Sequence, residues 1–249
     1  FILSQVAPFV HTFASAAGAS DRLQSVIHRE SRIDGTSETG AKSAPFGGED
    51  IVFHDVHFTY PSRPDVPVLN GINLTIPPRR HSAIVGPSGG GKSTVVSLLE
   101  RFYDPSTGEL LIGDQSFRSL NVKYLRGSIG YVQQEPTLFD RSILENIADG
   151  LANSSNEGHR DLAPFILDST LADLAASIRN GTAEEEAIEG YDPRVARIVE
   201  LVRQAAASSN ALAFIETLPH GLATNAGSAG SQLSGGQKQR VALARALVR

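Results

Sequence analysis

Cysteine is absent from all 249 residues, which excludes disulfides and thiolate metal sites. Methionine is absent too, and no charged n-region with a cleavage site opens the sequence. The chain therefore reads as an internal piece of something longer, not a mature N-terminus. A surplus of positive charge is also missing: 22 Lys and Arg against 27 Asp and Glu leave a formal net charge of −5. Binding to a nucleic-acid backbone is mostly the work of a concentrated Lys/Arg field, so this balance argues against nucleic acid as a partner. What is present suits a packed core, with 41% hydrophobic residues and length for one large domain or two modest ones.

Residues 1–20 carry no Asp, Glu, Lys or Arg, and Ile2, Val6, Phe9, Val10 and Phe13 recur at helical spacing. A helix of about twenty residues spans roughly 30 Å, enough for a bilayer's hydrocarbon. Ser4, Gln5, Pro8, His11, Thr12 and Ser15 nevertheless make it more polar than a lipid-exposed span. On these residues alone, a surface-docked amphipathic helix and the end of a membrane helix lining a cavity stand as equal readings. Residues 33–50 turn to Gly, Ser, Thr and Pro, too polar and too rich in breakers to pack, and read as a linker. The alternation over residues 51–60 predicts a strand, followed by a turn over 61–67 and a second strand at 72–76, paired antiparallel at a sheet edge. Residues 109–112 and 129–132 read as further strands, with Asp114 in a hairpin turn. Residues 153–190, polar or acidic at both ends around Leu162, Phe165, Ile166 and Leu174, read as a surface insertion. The helix after it sets Val195, Ile198, Val199 and Val202 on one face.

The dominant pattern is Gly86-Pro87-Ser88-Gly89-Gly90-Gly91-Lys92-Ser93-Thr94, between the apolar run Ser82-Ala83-Ile84-Val85 and Val95-Val96-Ser97-Leu98-Leu99. Buried strand, glycine turn and helix in that order predict a phosphate-binding loop. The glycines let the backbone take positive φ and approach an anion. The helix start supplies N–H donors and the positive end of its dipole. Lys92 is placed to reach the β- and γ-phosphates, Ser93 to offer a hydroxyl to the Mg²⁺ bridging them, and Thr94 to meet the inner phosphates. Gln134, in Gln133-Gln134-Glu135-Pro136, stands at the C-terminal end of the 129–132 strand, where ligands collect in open α/β sheets. It either reaches the metal and positions water or is a solvated loop glutamine. A second potential anion site is Ser234-Gly235-Gly236-Gln237, where Ser234 caps a helix and the glycines expose backbone N–H groups. Alone, that is commonplace capping.

Together, the phosphate loop and Leu233-Ser234-Gly235-Gly236-Gln237 resemble the nucleotide-binding domain of ATP-binding-cassette (ABC) transporters. Phe58-Thr59-Tyr60-Pro61-Ser62-Arg63-Pro64, Gln134-Glu135-Pro136 before Leu138-Phe139, and Glu145-Asn146-Ile147 are similar to the multidrug-resistance (P-glycoprotein-like) exporters. The likeness runs from about residue 49 to the C-terminus apart from the insertion, and residues 5–17 look like the end of a last transmembrane helix. It implies an α/β phosphate-loop ATPase with an antiparallel β edge and a helical signature subdomain, preceded by a helical segment. The implied divisions are 1–32 for the membrane helix end and its extension, 33–50 for a linker, and 51–249 for an incomplete nucleotide-binding domain with the insertion at 153–190.

The same resemblance implies roles. Tyr60 stacks on adenine, a contact of about 1–3 kcal/mol by analogy with base stacking elsewhere. Gln134 touches Mg²⁺ and the attacking water. Ser234, Gly235 and Gly236, with Gln237 completing the signature, contact ATP held on an opposite nucleotide-binding domain in a head-to-tail sandwich. Transmembrane domains and an unidentified transported substrate are the other implied partners, in a multi-pass membrane protein with this domain on the cytoplasmic side. The implied function is ATP-driven efflux. A soluble cassette ATPase would share the loop and signature, and a phosphate-loop kinase or GTPase the loop alone. In the family the catalytic glutamate and switch histidine follow the signature helix, so they are expected beyond Arg249. No catalytic residue is assigned within the chain, and this stretch alone is expected to bind ATP but hydrolyse it poorly. Gly227-Ser228-Ala229-Gly230 departs from the Gly-Glu-Arg-Gly common among relatives.

Overall fold

The computed structural model describes residues 2–44, 46–152, 154 and 156–249, with side chains from residue 12 onward. Two hydrophobic cores organise them, one against a sheet and one among helices. The sheet is antiparallel throughout, in the order β2-β1-β3-β4, with β1 at Ile51–Thr59, β2 at Pro67–Ile76, β3 at Thr107–Ile112 and β4 at Gln115–Ser116. Along β1 the buried residues are Phe53, Val56 and Phe58. The first step is three residues instead of two because the strand bulges there, with Asp55 at φ 46°. Gly108 faces the bulge, and a Cβ on it would lie 2.1 Å from the Asp55 carbonyl oxygen, so only glycine fits. The β3–β4 hairpin turns at Gly113 and Asp114, as the sequence predicts.

Helix α1 (Ile2–Ile27) runs unbroken for 26 residues and is exposed from Thr12 onward, Phe13 at 75%. The side chains of Ile2, Val6, Phe9, Val10 and His11 lie outside the described set. Among the described residues no helix is long and apolar enough to cross a membrane. Helix α2 (Lys92–Leu99) presses Val95 and Leu98 into the sheet's core beside Leu69, Leu110, Ile112 and Phe117. It ends sooner than the expected stop at Tyr103-Asp104-Pro105, because Glu100 closes it and Arg101 turns to φ 49°.

Two expected strands do not form. Residues 82–85 and 129–132 are irregular, with Ile84, Val85, Tyr131 and Val132 exposed at 38%, 87%, 44% and 36%. A parallel strand exists only through the ladder it makes with a neighbour, and no described strand pairs with either run. Apolar composition without a ladder partner leaves both uncovered.

The polar segment before β1 is not loose, contrary to the linker reading. The Asn121 amide donates to the carbonyls of Ser37 (2.9 Å) and Thr39 (2.8 Å). Ala41 exchanges backbone hydrogen bonds of 2.9 Å with Ser119 and Asn121. Gly40, at φ 94°, admits this approach, since a Cβ there would lie 2.6 Å from the Asn121 nitrogen. Asn121 also caps α3 (Val122–Ser128). The segment packs through its backbone, which apolar patterning does not register; its Pro45 lies outside the described residues.

The second core is built by α4 (Ile143–Ala148), α5 (Ala163–Leu167), α6 (Thr170–Arg179), α7 (Glu184–Glu189), α8 (Pro193–Ser208), α9 (Leu212–Ile215) and α10 (Gly235–Leu247). The stretch expected on the surface belongs to it. Leu162, Leu171 and Leu174 are at most 1% exposed and Ile166 6%, sharing that core with Val195, Ile198, Val199 and Val202 of α8. The polar ends of the stretch are its entry and exit turns, and its apolar stripe faces inward. Asn153 and Ser155 lie outside the described residues.

Candidate functional site

The phosphate loop leads into α2 through Gly91, whose φ of 83° is matched by 80° at Gly89. A Cβ on Gly91 would also meet Leu69 Cδ2 at 2.7 Å, so conformation and space both demand glycine. Gly86 differs: its φ is ordinary and a Cβ would touch nothing within 4 Å. Nothing among the described residues requires glycine there. At the start of α2, which follows the exposed loop of Gly86, Pro87, Ser88, Gly89 and Gly90, the Thr94 N–H already turns back to the Gly91 carbonyl (3.0 Å), leaving the Lys92 and Ser93 N–H groups as the donors a helix start offers to an anion. Lys92 folds over that loop, its Nζ donating to the carbonyls of Gly86 (3.0 Å) and Pro87 (2.7 Å). An anion entering the loop competes with two neutral carbonyls for the ammonium, and a charged acceptor wins that exchange. Ser93 is exposed at the helix start. The donors and the glycine cradle fit a polyphosphate.

Tyr60 follows β1 directly and comes to the same place. Its hydroxyl lies 3.0 Å from Thr94 Oγ1, and Thr94 is 3% exposed, so the hydroxyl expected at the inner phosphates is shared with Tyr60. The Tyr60 ring stands edge-on to Phe58 (4.9 Å, 82°) and to Tyr103 (5.3 Å, 89°). Such T-shaped contacts hold a ring in one orientation. Tyr103 was not among the predicted residues; only its place after the phosphate-loop helix hints at it.

The signature residues stand at the start of α10. Ser234 caps it in a reciprocal box: the Gln237 N–H donates to Ser234 Oγ (3.3 Å) and the Ser234 N–H to Gln237 Oε1 (2.8 Å). The Gln237 side chain is thus engaged in its own helix. Gly235 and Gly236 are exposed, and a Cβ on either would meet nothing within 4 Å. As at Gly86, no packing among the described residues accounts for them. The structure unites Tyr60 with the phosphate loop but not the signature with it, because α2 packs in the sheet's core and α10 in the helical one. Gln134 lies in an exposed loop whose carbonyl accepts from Gln239 of α10 at 3.3 Å. No group of three or more His, Asp and Glu side chains placed to hold a metal occurs among the described residues.

Two ionic sites, one buried and one partly buried, accompany this arrangement. Glu100, at the end of α2, is 5% exposed and its Oε1 has no hydrogen-bond partner. Burial pushes its carboxyl above the ordinary range, against the pull of Arg126 and Arg249. Asp149 is likewise raised by burial, opposed by Arg245 and Arg141.

The ABC transporter family profile matches residues 69–249. The chain is 61% identical over its whole length to ABC multidrug transporter mdr4 of Aspergillus fumigatus and 57% to ABC multidrug transporter MDR2 of Trichophyton rubrum. It spans only 16% and 18% of those proteins' lengths. A solved structure, a bacterial Atm1-family ABC exporter with ATP bound, aligns with a TM-score of 0.63 and 28% identity over 99% of this chain and 35% of that one. The fold is that of an ABC ATPase domain, and the chain belongs to the ABC transporter family.

Proposed function

We propose that this chain is the ATP-binding part of an exporter that couples ATP binding and hydrolysis to efflux of a substrate across a membrane. The observation that carries the reading is the pair of helix starts, at Gly91 and Ser234, the first preceded by Gly86 and the second followed by Gly235 and Gly236, three glycines whose Cβ positions would meet nothing within 4 Å. They sit in different cores, so a triphosphate held in the loop is free to meet a signature on a second nucleotide-binding domain. The relatives' names as multidrug transporters favour an exporter over a soluble cassette ATPase.

In this reading Tyr60 stacks on the base, the loop and α2 start cradle the phosphates, and Lys92 transfers its hydrogen bonds from the loop carbonyls to them. Ser93 and Gln134 would hold Mg²⁺, which would supply neutralisation of phosphate charge there. Ser234, Gly235 and Gly236, with Gln237 holding Ser234 in its cap, close on nucleotide bound to the partner domain. Residues 1–32 are the end of a membrane helix and its extension, 33–50 the connection and 51–249 the cassette, on the cytoplasmic side of a multi-pass protein. Closure and release of the paired domains then drive alternating access.

The test uses the full-length protein in lipid nanodiscs. Lys92→Ala should weaken ATP binding by about tenfold or more, as loss of a charge-assisted contact to phosphate predicts. Ser234→Arg should leave ATP binding at the loop intact while abolishing ATP-dependent closure, read by spin-label distances between the domains. Undiminished affinity in the first or unchanged closure in the second would overturn the assignment.

A further inference from the structure

Asn146 is wholly buried and joins three parts of the chain. Its Oδ1 accepts from the Phe139 N–H (2.9 Å) and from Arg245 Nη2 (2.6 Å). Its amide hydrogens serve the carbonyls of Phe139 (3.0 Å), Arg141 (3.3 Å) and Ser142 (3.0 Å). Arg245 donates besides to the Asn146 carbonyl (2.6 Å) and the Thr137 carbonyl (3.3 Å), and its guanidinium lies 5.3 Å from the Phe139 ring centre. The planar fork thus ties α10 to the Thr137 carbonyl and to both the side-chain and backbone oxygens of Asn146 on α4, a geometry that lysine cannot reproduce. One helical face further up, Gln239 holds the Gln134 carbonyl at 3.3 Å. The two attachments sit on the same α10 that Ser234 begins. Eleven residues of helix place Arg245 about 16 Å along the rod from Ser234. Close packing leaves the joint little play, since a Cβ on Gly150 would lie 2.0 Å from the Arg245 carbonyl oxygen.

We propose that Arg245 is a positioning residue: through Asn146 and the Thr137 carbonyl it locks the loop carrying Gln134 to the helix presenting Ser234, so that movement at one nucleotide site re-aims the signature offered to the other. This rests on the nucleotide roles proposed above for Gln134 and Ser234. Arg245 touches no part of the phosphate loop, so its effect falls on turnover and not on ATP capture. Gln239 is the weaker second attachment.

The experiment compares ATP hydrolysis by the full-length protein in nanodiscs with Arg245→Lys, Gln239→Leu and Lys92→Ala variants, each normalised to folded protein. Arg245→Lys should lower kcat about tenfold or more while KM for ATP stays within about twofold. Gln239→Leu, at an exposed position that does not threaten folding, should show the same split at smaller size. Adding Asn146→Ala to Arg245→Lys should lower kcat by less than the two single losses combined, because both changes remove the contact between the two side chains. Wild-type kcat in both Arg245→Lys and Gln239→Leu overturns the proposal, as does a loss confined to the yield of folded protein. If Lys92→Ala has lost ATP binding in the same preparation, only the coupling falls. If Lys92→Ala binds ATP as well as the wild type, the nucleotide reading falls with it.

Discussion

At the scale of single residues, glycines divide into those the fold needs and those it does not. Gly91 and Gly108 are fixed by positive φ and near-contacts with Leu69 and Asp55, whereas Gly86, Gly235 and Gly236 stand in open space. Sequence alone cannot make that division, because each is simply a glycine near a turn. Glu100 is the opposite case, a polar residue that its own packing leaves unsatisfied. Its folded pKa is raised above the ordinary 4.5, so the folded state holds its proton to higher pH than the unfolded state does. Its contribution is therefore harmless below that ordinary value and increasingly destabilising as pH rises through the folded pKa. Glu100→Gln should accordingly stabilise the region by about 1 kcal/mol at neutral pH. Hydrogen exchange of α2 and α3 amides in the full-length protein would show slower opening at neutral pH and no gain below the ordinary carboxyl pKa. Faster opening at neutral pH would mean that the pull of Arg126 and Arg249 outweighs burial.

At the scale of elements, caps and bulges decide where the regular pieces start and stop. The short helix α4 is held by a capping box in which Ser142 Oγ accepts from the Glu145 N–H (3.2 Å) and Glu145 Oε2 accepts from the Ser142 N–H (2.9 Å). Six residues form too short a helix to persist on propensity, so the box and the burial of Ile143, Leu144 and Ile147 maintain it together. Ser142→Ala should cost about 1 kcal/mol, visible as faster exchange of α4 amides; exchange at the wild-type rate would show that burial alone suffices. Ser142 and Glu145 at this spacing are legible in the sequence as a helix start. The bulge at Asp55 is not, because the alternation of β1 reads smoothly until Gly108 is brought against it.

At the scale of the whole molecule, the stretch over residues 153–190 is part of the helical core, and this gives a direct test. Leu174 is 0% exposed among Ile147, Leu171 and Val195 of that core. Leu174→Ala should destabilise by about 2–5 kcal/mol and speed exchange across α6 and α8 together, whereas a surface appendage would yield only local change. The glycine turn into α2, the Ser234 cap of α10 and the β-hairpin were legible from sequence, because each rests on local spacing: glycines before a helix, serine at a cap, a turn between short strands. The helical core, the backbone docking of residues 37–41 on Asn121, and the Asn146–Arg245 joint were not, because each depends on partners far apart in the chain, 108 residues for Arg245 and Thr137. The runs over 82–85 and 129–132 show the same limit from the other side. Their apolar residues were read correctly, yet a strand is made by its neighbour, and no described neighbour pairs with them. Sequence by itself thus determined the chemistry available at each helix start. Tertiary structure decided which helix starts share a core, since hydrophobic burial and long-range hydrogen bonds form only when distant segments meet.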